Sequence, residues 1–286
     1  MPEKQLPSRP SLEQYKKQAK DLLRQSKASA PEAVQRFRTY LPPQKLSHRR
    51  FSLTDAQLVI AREHGFESWL EFTRAIESVR YQNSAEAQSD PVTAFIEAAS
   101  VPRAGDHVAG TLDLAQTILA EHPEVAADSI YTAAILGDEA LVRRFVERDP
   151  ASATRKGGSY DWDALTFLCF SRYLRLDKSR SESFLRTARA LLDAGANPNT
   201  GWFEKDHQPR PTWESVLYGA AGLAQNADLT RLLLERGGDP NDDETPYHVP
   251  ESYDLSVLRV MLESGKFTPD NLAMILLRKN DWHDLE

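Results

Sequence analysis

Seven histidines, one cysteine and several tight carboxylate groups are the side chains of this chain that could ligate a metal or move a proton. No two histidines stand four residues apart, so no helix face offers the paired imidazoles of a helical metal site. Asp281-Trp282-His283-Asp284 crowds three ligand-bearing residues into four positions, yet successive residues of a helix point in different directions, which makes it a tail. Asp161-Trp162-Asp163 and Asp242-Asp243-Glu244 gather oxygens in turns; a hard cation needs more oxygens at fixed spacing, so these read as caps and solvated loops. Cys169 sits in the apolar run LTFLCF and reads as a buried, inert thiol. A lone cysteine also excludes an intrachain disulfide framework and a multi-cysteine metal site. Gly157-Gly158 lacks the lysine and strand-to-helix setting of a phosphate loop, and neither G-x-S-x-G nor H-E-x-x-H occurs. The expectation is a chain with no catalytic group, no cofactor and no metal.

Chemistry of recognition is better represented. Two connecting segments, 154–163 (TRKGGSYDWD) and 200–212 (TGWFEKDHQPRPT), carry Tyr160, Trp162, Trp202, Phe203, His207 and Arg210, and Trp213 follows directly. Tyr247 lies in a Thr-Pro-Tyr-His opening further on. Trp, Tyr and Arg dominate the energetics of protein interfaces, and loops held on a rigid scaffold carry function disproportionately. Trp162 and Trp213 can instead pack onto the helices that follow them, whereas Trp202, Phe203 and Arg210 lie inside the longer insertion and point to a protein partner. A second candidate is the row Lys16, Lys20, Arg24 and Lys27, spaced by four, four and three along one helix. Such a row suits phosphates. It equally suits a solvated face, and no aromatic residues interleave it.

The elements that must position these residues divide into two modules. The chain is 41% hydrophobic and 27% charged, ordinary for a soluble globular protein. Residues 1–80 hold 15 Lys/Arg against 9 Asp/Glu, and the remainder 20 against 33, so the two parts differ in surface charge. The N-terminus has no signal-peptide core, and no stretch approaches ~18 uncharged apolar residues. A cytoplasmic protein without membrane contact is expected.

In residues 1–80 a capping box at Ser11–Gln14 opens a helix to about Ser26, and Pro31 begins a second that Pro42-Pro43 stops. Thr54–Gln57 reads as another capping box for a helix ending at Gly65, and Ser68 caps a fourth carrying Phe72 and Ile76. Residues 81–89 are polar and aperiodic, a linker. From Asp90 the pattern is of helix pairs: 94–99 with 112–121, 130–136 with 139–148, 164–173 with 182–194, 213–224 with 228–236, and Thr245 onward with 255–264. Residues 271–278 read as the first helix of a partial sixth pair, followed by a turn at 281–285, which suggests a chain that continues past Glu286.

Two stretches repeat one device. LLDAGANPN at 191–199 and LLERGGDPN at 233–241 each end a helix on a glycine and redirect the chain with an Asx-Pro-Asn turn. The pattern resembles the ankyrin repeat, and Thr245-Pro246-Tyr247-His248 resembles the opening of an ankyrin first helix. His122–Ala126 and Asp149–Ala153 resemble degenerate repeat endings. The string FSLTDAQLVIAREHGFESWLEF at 51–72 is similar to an N-terminal extension of bacterial ankyrin-repeat-containing proteins. The steps of 42 residues from Gly195 to Gly237 and 28 from Gly237 to Gly265 depart from the ~33-residue period, so insertion and deletion have both acted.

The resemblance implies an all-α protein: a small helical module over 1–80, then over 90–286 an α-solenoid of about five degenerate ankyrin-like helix pairs plus a partial sixth. It further implies a non-catalytic scaffold that binds a protein partner through fingers and first helices. The alternatives are a nucleic-acid-associated regulator using the basic module, and an enzyme with a pocket between module and array.

Overall fold

The computed structural model describes residues 4, 6–7, 10–42, 51–76, 90–103, 107–205, 207, 210–252 and 254–283. The expected linker at 81–89 lies outside them. The chain is mostly helical and forms two compact units, Met1–Ser89 and Asp90–Glu286. Among the described residues no helix is long and apolar enough to cross a membrane.

In the first unit, helices Leu12–Lys27, Pro31–Tyr40 and Leu53–Glu63 pack on one another, and residues 69–76 are also helical. Ser11 caps the first helix by accepting from the Gln14 amide. The third helix begins earlier than Thr54 suggests: Ser52 is its cap and Asp55 returns the bond to the Ser52 amide. Either residue can cap, and Ser52 wins because Asp55, an acceptor, falls three residues after it. The core gathers Tyr15, Leu22, Phe37, Ile60, Phe72 and Ile76. One charged side chain enters it. The Glu63 carboxylate receives Arg36 Nε at 2.6 Å and Nη2 at 2.9 Å, and Lys4 Nζ at 2.6 Å.

In the second unit, helices pack in two rows that follow chain order. One row runs Pro91–Ala99, Ile130–Ile135, Ala164–Cys169, Val216–Tyr218, Thr245–His248 and Pro269–His283. The other runs Glu139–Arg148, Ser181–Asp193, Ala227–Glu235 and Ser256–Glu263. Gly195 (φ 94°) and Gly237 (φ 98°) end their helices in the left-handed conformation, where a Cβ is strained. Past them the same stitch occurs twice. Asn199 Nδ2 donates to the Gly237 carbonyl at 3.1 Å and its Oδ1 accepts from the Asp239 amide at 2.8 Å. Asn241 makes the matching pair with the Lys266 carbonyl (2.9 Å) and the Thr268 amide (2.8 Å). A small polar side chain thus joins each turn to the next.

Three boundaries differ from the sequence reading. The helix expected over 164–173 breaks at Phe170, where Ser171 caps a new segment, Arg172–Leu176. The expected turn at 281–285 is helical through His283. The largest difference is at 213–224: Thr212–Ser215 is a strand, β2, pairing antiparallel with β1 (Gly201–Glu204), and the helix starts only at Val216. Ser215 ends the strand by accepting the Tyr218 amide at 2.9 Å. The insertion is therefore a β-hairpin.

Candidate functional site

The hairpin has two faces of opposite character, because successive strand residues point to opposite sides. In register, Gly201 faces Ser215, Trp202 faces Glu214, Phe203 faces Trp213 and Glu204 faces Thr212. Trp202, Glu204, Thr212 and Glu214 turn inward and are buried. Phe203 and Trp213, a cross-strand pair, turn outward and remain 50% and 37% exposed.

On the inner face Trp202 stacks on Trp162 (centroids 5.2 Å apart, 28°) and meets Phe170 edge-on at 5.9 Å. Both tryptophans thus belong to the interior, and this removes Trp162 and Trp202 from the partner-binding set. Their apolar area is spent inside the unit. Tyr160 is half-buried, edge-on to Trp162 at 4.9 Å, with the Arg103 guanidinium 5.2 Å over its ring. Burial pushes its hydroxyl up to about 12.

Beside the tryptophans lies a nest of titratable groups. His107, from the segment after Pro91–Ala99, places Nδ1 3.3 Å from the Tyr218 hydroxyl and 4.0 Å from Glu214 Oε2, and Nε2 3.4 Å from Glu204 Oε2. His107 Nε2 makes no hydrogen bond, nor does either Glu214 oxygen, nor the Trp202 indole N–H, among the described residues. Burial, then the charges of Glu244 and Glu204, push the Glu214 carboxyl up to about 9, so it holds its proton at neutral pH. Burial lowers His107 more than Glu204 and Glu244 raise it.

A second cluster adjoins the first through Thr212, which donates to Glu244 Oε1 at 3.2 Å. Glu244 faces His248 Nε2 at 3.1 Å and His207 Nε2 at 3.9 Å. His248 Nδ1 contacts Glu251 at 2.9 Å, and Arg278 in turn binds Glu251. Burial alone would lower His248, but its bonds to Glu244 and Glu251 more than reverse this and raise it. Burial raises Glu244, and the bond from His248 outweighs it, leaving the carboxyl below its ordinary value.

The turn 242–244 corrects one expectation and meets another. Asp242 is a cap, accepting the Glu244 and Thr245 amides at 3.0 and 2.6 Å. Glu244, expected in a solvated loop, is 8% exposed, because Thr212 and His248 satisfy its oxygens inside.

The remaining sequence candidates lie on surfaces. His207 and Arg210 sit in the hairpin turn, His207 Nδ1 at 3.1 Å from the Arg210 carbonyl and the Arg210 guanidinium 3.1 Å from Asp243. Trp213 faces out, so it does not seal the helix behind it. Tyr247 is 41% exposed with the Arg278 guanidinium 3.9 Å over its ring. In the first unit, Lys20 and Lys27 are exposed, Lys16 is half-buried and Arg24 pairs with Asp21 at 2.9 Å, while the same helix buries Tyr15, Ala19 and Leu22. Cys169 is buried, and burial pushes its thiol well up, away from nucleophilic use.

Sequence reading missed His107, Glu204, Glu214, Glu244 and His248 because they come from four segments spread over more than a hundred residues. The available signal was two short aromatic segments, WFE and TWES, flanking a Pro-containing turn. The chain matches no protein-family model, no curated protein and no solved structure.

Proposed function

We propose that this chain is a non-catalytic recognition scaffold, an ankyrin-like solenoid that presents the hairpin 201–215 to a protein partner. Two features support the scaffold: helices packed in two rows in chain order, and the Asn stitch recurring at 199 and 241. The observation that carries the recognition is the outward pair Phe203 and Trp213. Two large aromatics stand half in solvent on a hairpin whose other face is anchored by Trp202 and Thr212. A rigid, amphipathic aromatic pair gives up little conformational entropy on docking, which is the property of interface anchors. Arg210 and Tyr247 extend the candidate surface, and the partner that fits is a protein with an apolar cleft.

The test is to compare the native chain with a Phe203→Ser/Trp213→Ser double variant as immobilised baits. Retained proteins should be lost from the double variant while its melting temperature stays within about 2 °C of native. Identical retention by the two baits would remove the hairpin from recognition.

A further inference from the structure

Among the described residues, strands 201–204 and 212–215 form a sheet of two that no third strand joins. Nor, among those residues, does any backbone hydrogen bond tie 201–204 or 212–214 to another part of the unit. Side chains hold the hairpin down. Trp202 stacks on Trp162, Thr212 donates to Glu244, Ser215 donates to Asp242, and Arg210 pairs with Asp243. An element fastened in this way can open without unfolding the helices beneath it.

Glu214 sits on the inner face of this hairpin. It is wholly buried, and neither of its oxygens has a hydrogen-bond partner among the described residues. What faces it is acidic: Glu204 from the paired strand, and Asp242, Asp243 and Glu244 from the turn at 242–244. From the segment at 107 comes His107, with Nδ1 4.0 Å away, and burial lowers this imidazole more than Glu204 and Glu244 raise it. From the helix Val216–Tyr218 comes Tyr218, whose hydroxyl burial pushes up, so it stays neutral. Cations further out are engaged elsewhere. Arg210 pairs with Asp243, His248 lies between Glu244 and Glu251, Arg278 binds Glu251, and His207 faces Glu244. A neutral acid is tolerated in such a place. An anion there has no counter-ion and several carboxylates around it, and exposure to water relieves it.

We propose that Glu214 is a proton latch on the hairpin: its neutral form keeps strands 201–204 and 212–215 closed on the unit, and loss of its proton opens them. Opening hydrates Trp202 and carries Phe203 and Trp213 out of their fixed place. The proton thus acts as a ligand of the closed form. The closed form is favoured fully below 4.5, the ordinary value of the carboxyl, and loses ground as pH rises toward the closed-state value of about 9. Between those limits each pH unit raises the open population about tenfold. The latch stands on the geometry of the hairpin, and only its effect on a partner rests on the recognition reading above.

The experiment follows hydrogen exchange of the free, intact chain between about pH 5.5 and about pH 8, with rates corrected for the intrinsic pH dependence of exchange. Protection of the amides at 202–204 and 212–214 should fall about tenfold per pH unit, while amides at 184–192 remain the better protected throughout. In Glu214→Gln the fall should shrink to less than about threefold per unit. What remains there belongs to His107 and His248, whose shifts run in opposite directions. Glu63→Gln, in the other unit, should leave the native slope in place. A slope undiminished in Glu214→Gln would overturn the proposal. Strand amides that exchange only together with helix 181–193 would also overturn it, because the opening would then be unfolding of the whole unit. No partner is present in the measurement, so its outcome is independent of what the outer face binds.

Discussion

Glu63 and Glu214 are the same side chain, both buried, in two units that treat them oppositely. Burial alone would raise Glu63, but hydrogen bonds from Arg36 and Lys4 more than compensate and hold its carboxyl below the ordinary value. Glu214 has no such donors and has carboxylates for neighbours, so it is driven up to about 9. A buried charge supplied with donors is a structural device. A buried carboxyl left without them lowers stability, and proteins concentrate that kind of expense where they bind or react. The difference separates a paired, donor-supplied carboxylate in the first unit's core from an unpaired carboxyl beneath the hairpin.

The sharpest way to break this comparison is Glu214→Gln. A folded-state value raised from 4.5 to about 9 means that stability is full below the unfolded value and is lost as pH rises through the folded one. At pH 7 the 2.5 units above 4.5 correspond to about 3 kcal/mol. Glutamine carries no such linkage. The variant should match native near pH 4 and exceed it by up to about 3 kcal/mol at pH 7 in denaturant titrations of the second unit. Equal curves at both pH values would mean that Glu214 is satisfied, and the contrast with Glu63 would collapse.

Glu63→Gln should act in the opposite direction. A folded value below the unfolded one gives stability that is present above pH 4.5 and is lost as pH falls through the folded value. Glutamine cannot accept the Arg36 fork as an anion, while Lys4, largely exposed, contributes little. Hydrogen exchange of helices 12–27 and 53–63 should show opening easier by about 2 kcal/mol at pH 7, with the loss shrinking toward pH 4. Helices of the second unit should exchange as before.

A smaller effect should not distinguish the units at all. Gly65 (φ 85°) ends a helix in the first unit as Gly237 (φ 98°) does in the second. A Cβ at Gly237 meets nothing within 4 Å, so Gly237→Ala costs only backbone strain, about 1 kcal/mol. Gly65→Ala should cost the same in thermal unfolding. A much larger loss at one position would mean that its turn also carries packing.

The stops at Gly195 and Gly237 were readable in sequence because they are local: a glycine after an apolar stripe, then Asx-Pro-Asn. The caps were readable for the same reason, to within two residues at Ser52. The hairpin was not, because its alternation is inverted. Phe203 and Trp213 face out, while Glu204 and Glu214 face in, so hydrophobicity assigns the residues to the wrong sides. Only the register with Ser215 and the burial of Trp202 against Trp162 reveal which face is which. The His–Glu nest was hidden still further, since its members meet only when the segments at 107, 204–214 and 244–248 come together. Spacing along a helix reveals clusters on one helix, and this nest is assembled from a loop, a hairpin and a turn.

The smallest expected change belongs to the outer face itself. Replacing Phe203 and Trp213 together by Thr keeps two residues that favour strands and removes only the exposed cross-strand aromatic contact. Such a pair contributes roughly 0.2–1 kcal/mol, and half of each ring already lies in water. The unfolding midpoint should therefore move by less than about 1 kcal/mol, below every effect argued above. The inner face predicts the reverse for its own aromatic: Trp202 is stacked and buried, and its loss would open a cavity. If Phe203 and Trp213 proved as costly as a core residue, they would be holding the hairpin down, and the face assigned to recognition would be part of the fold.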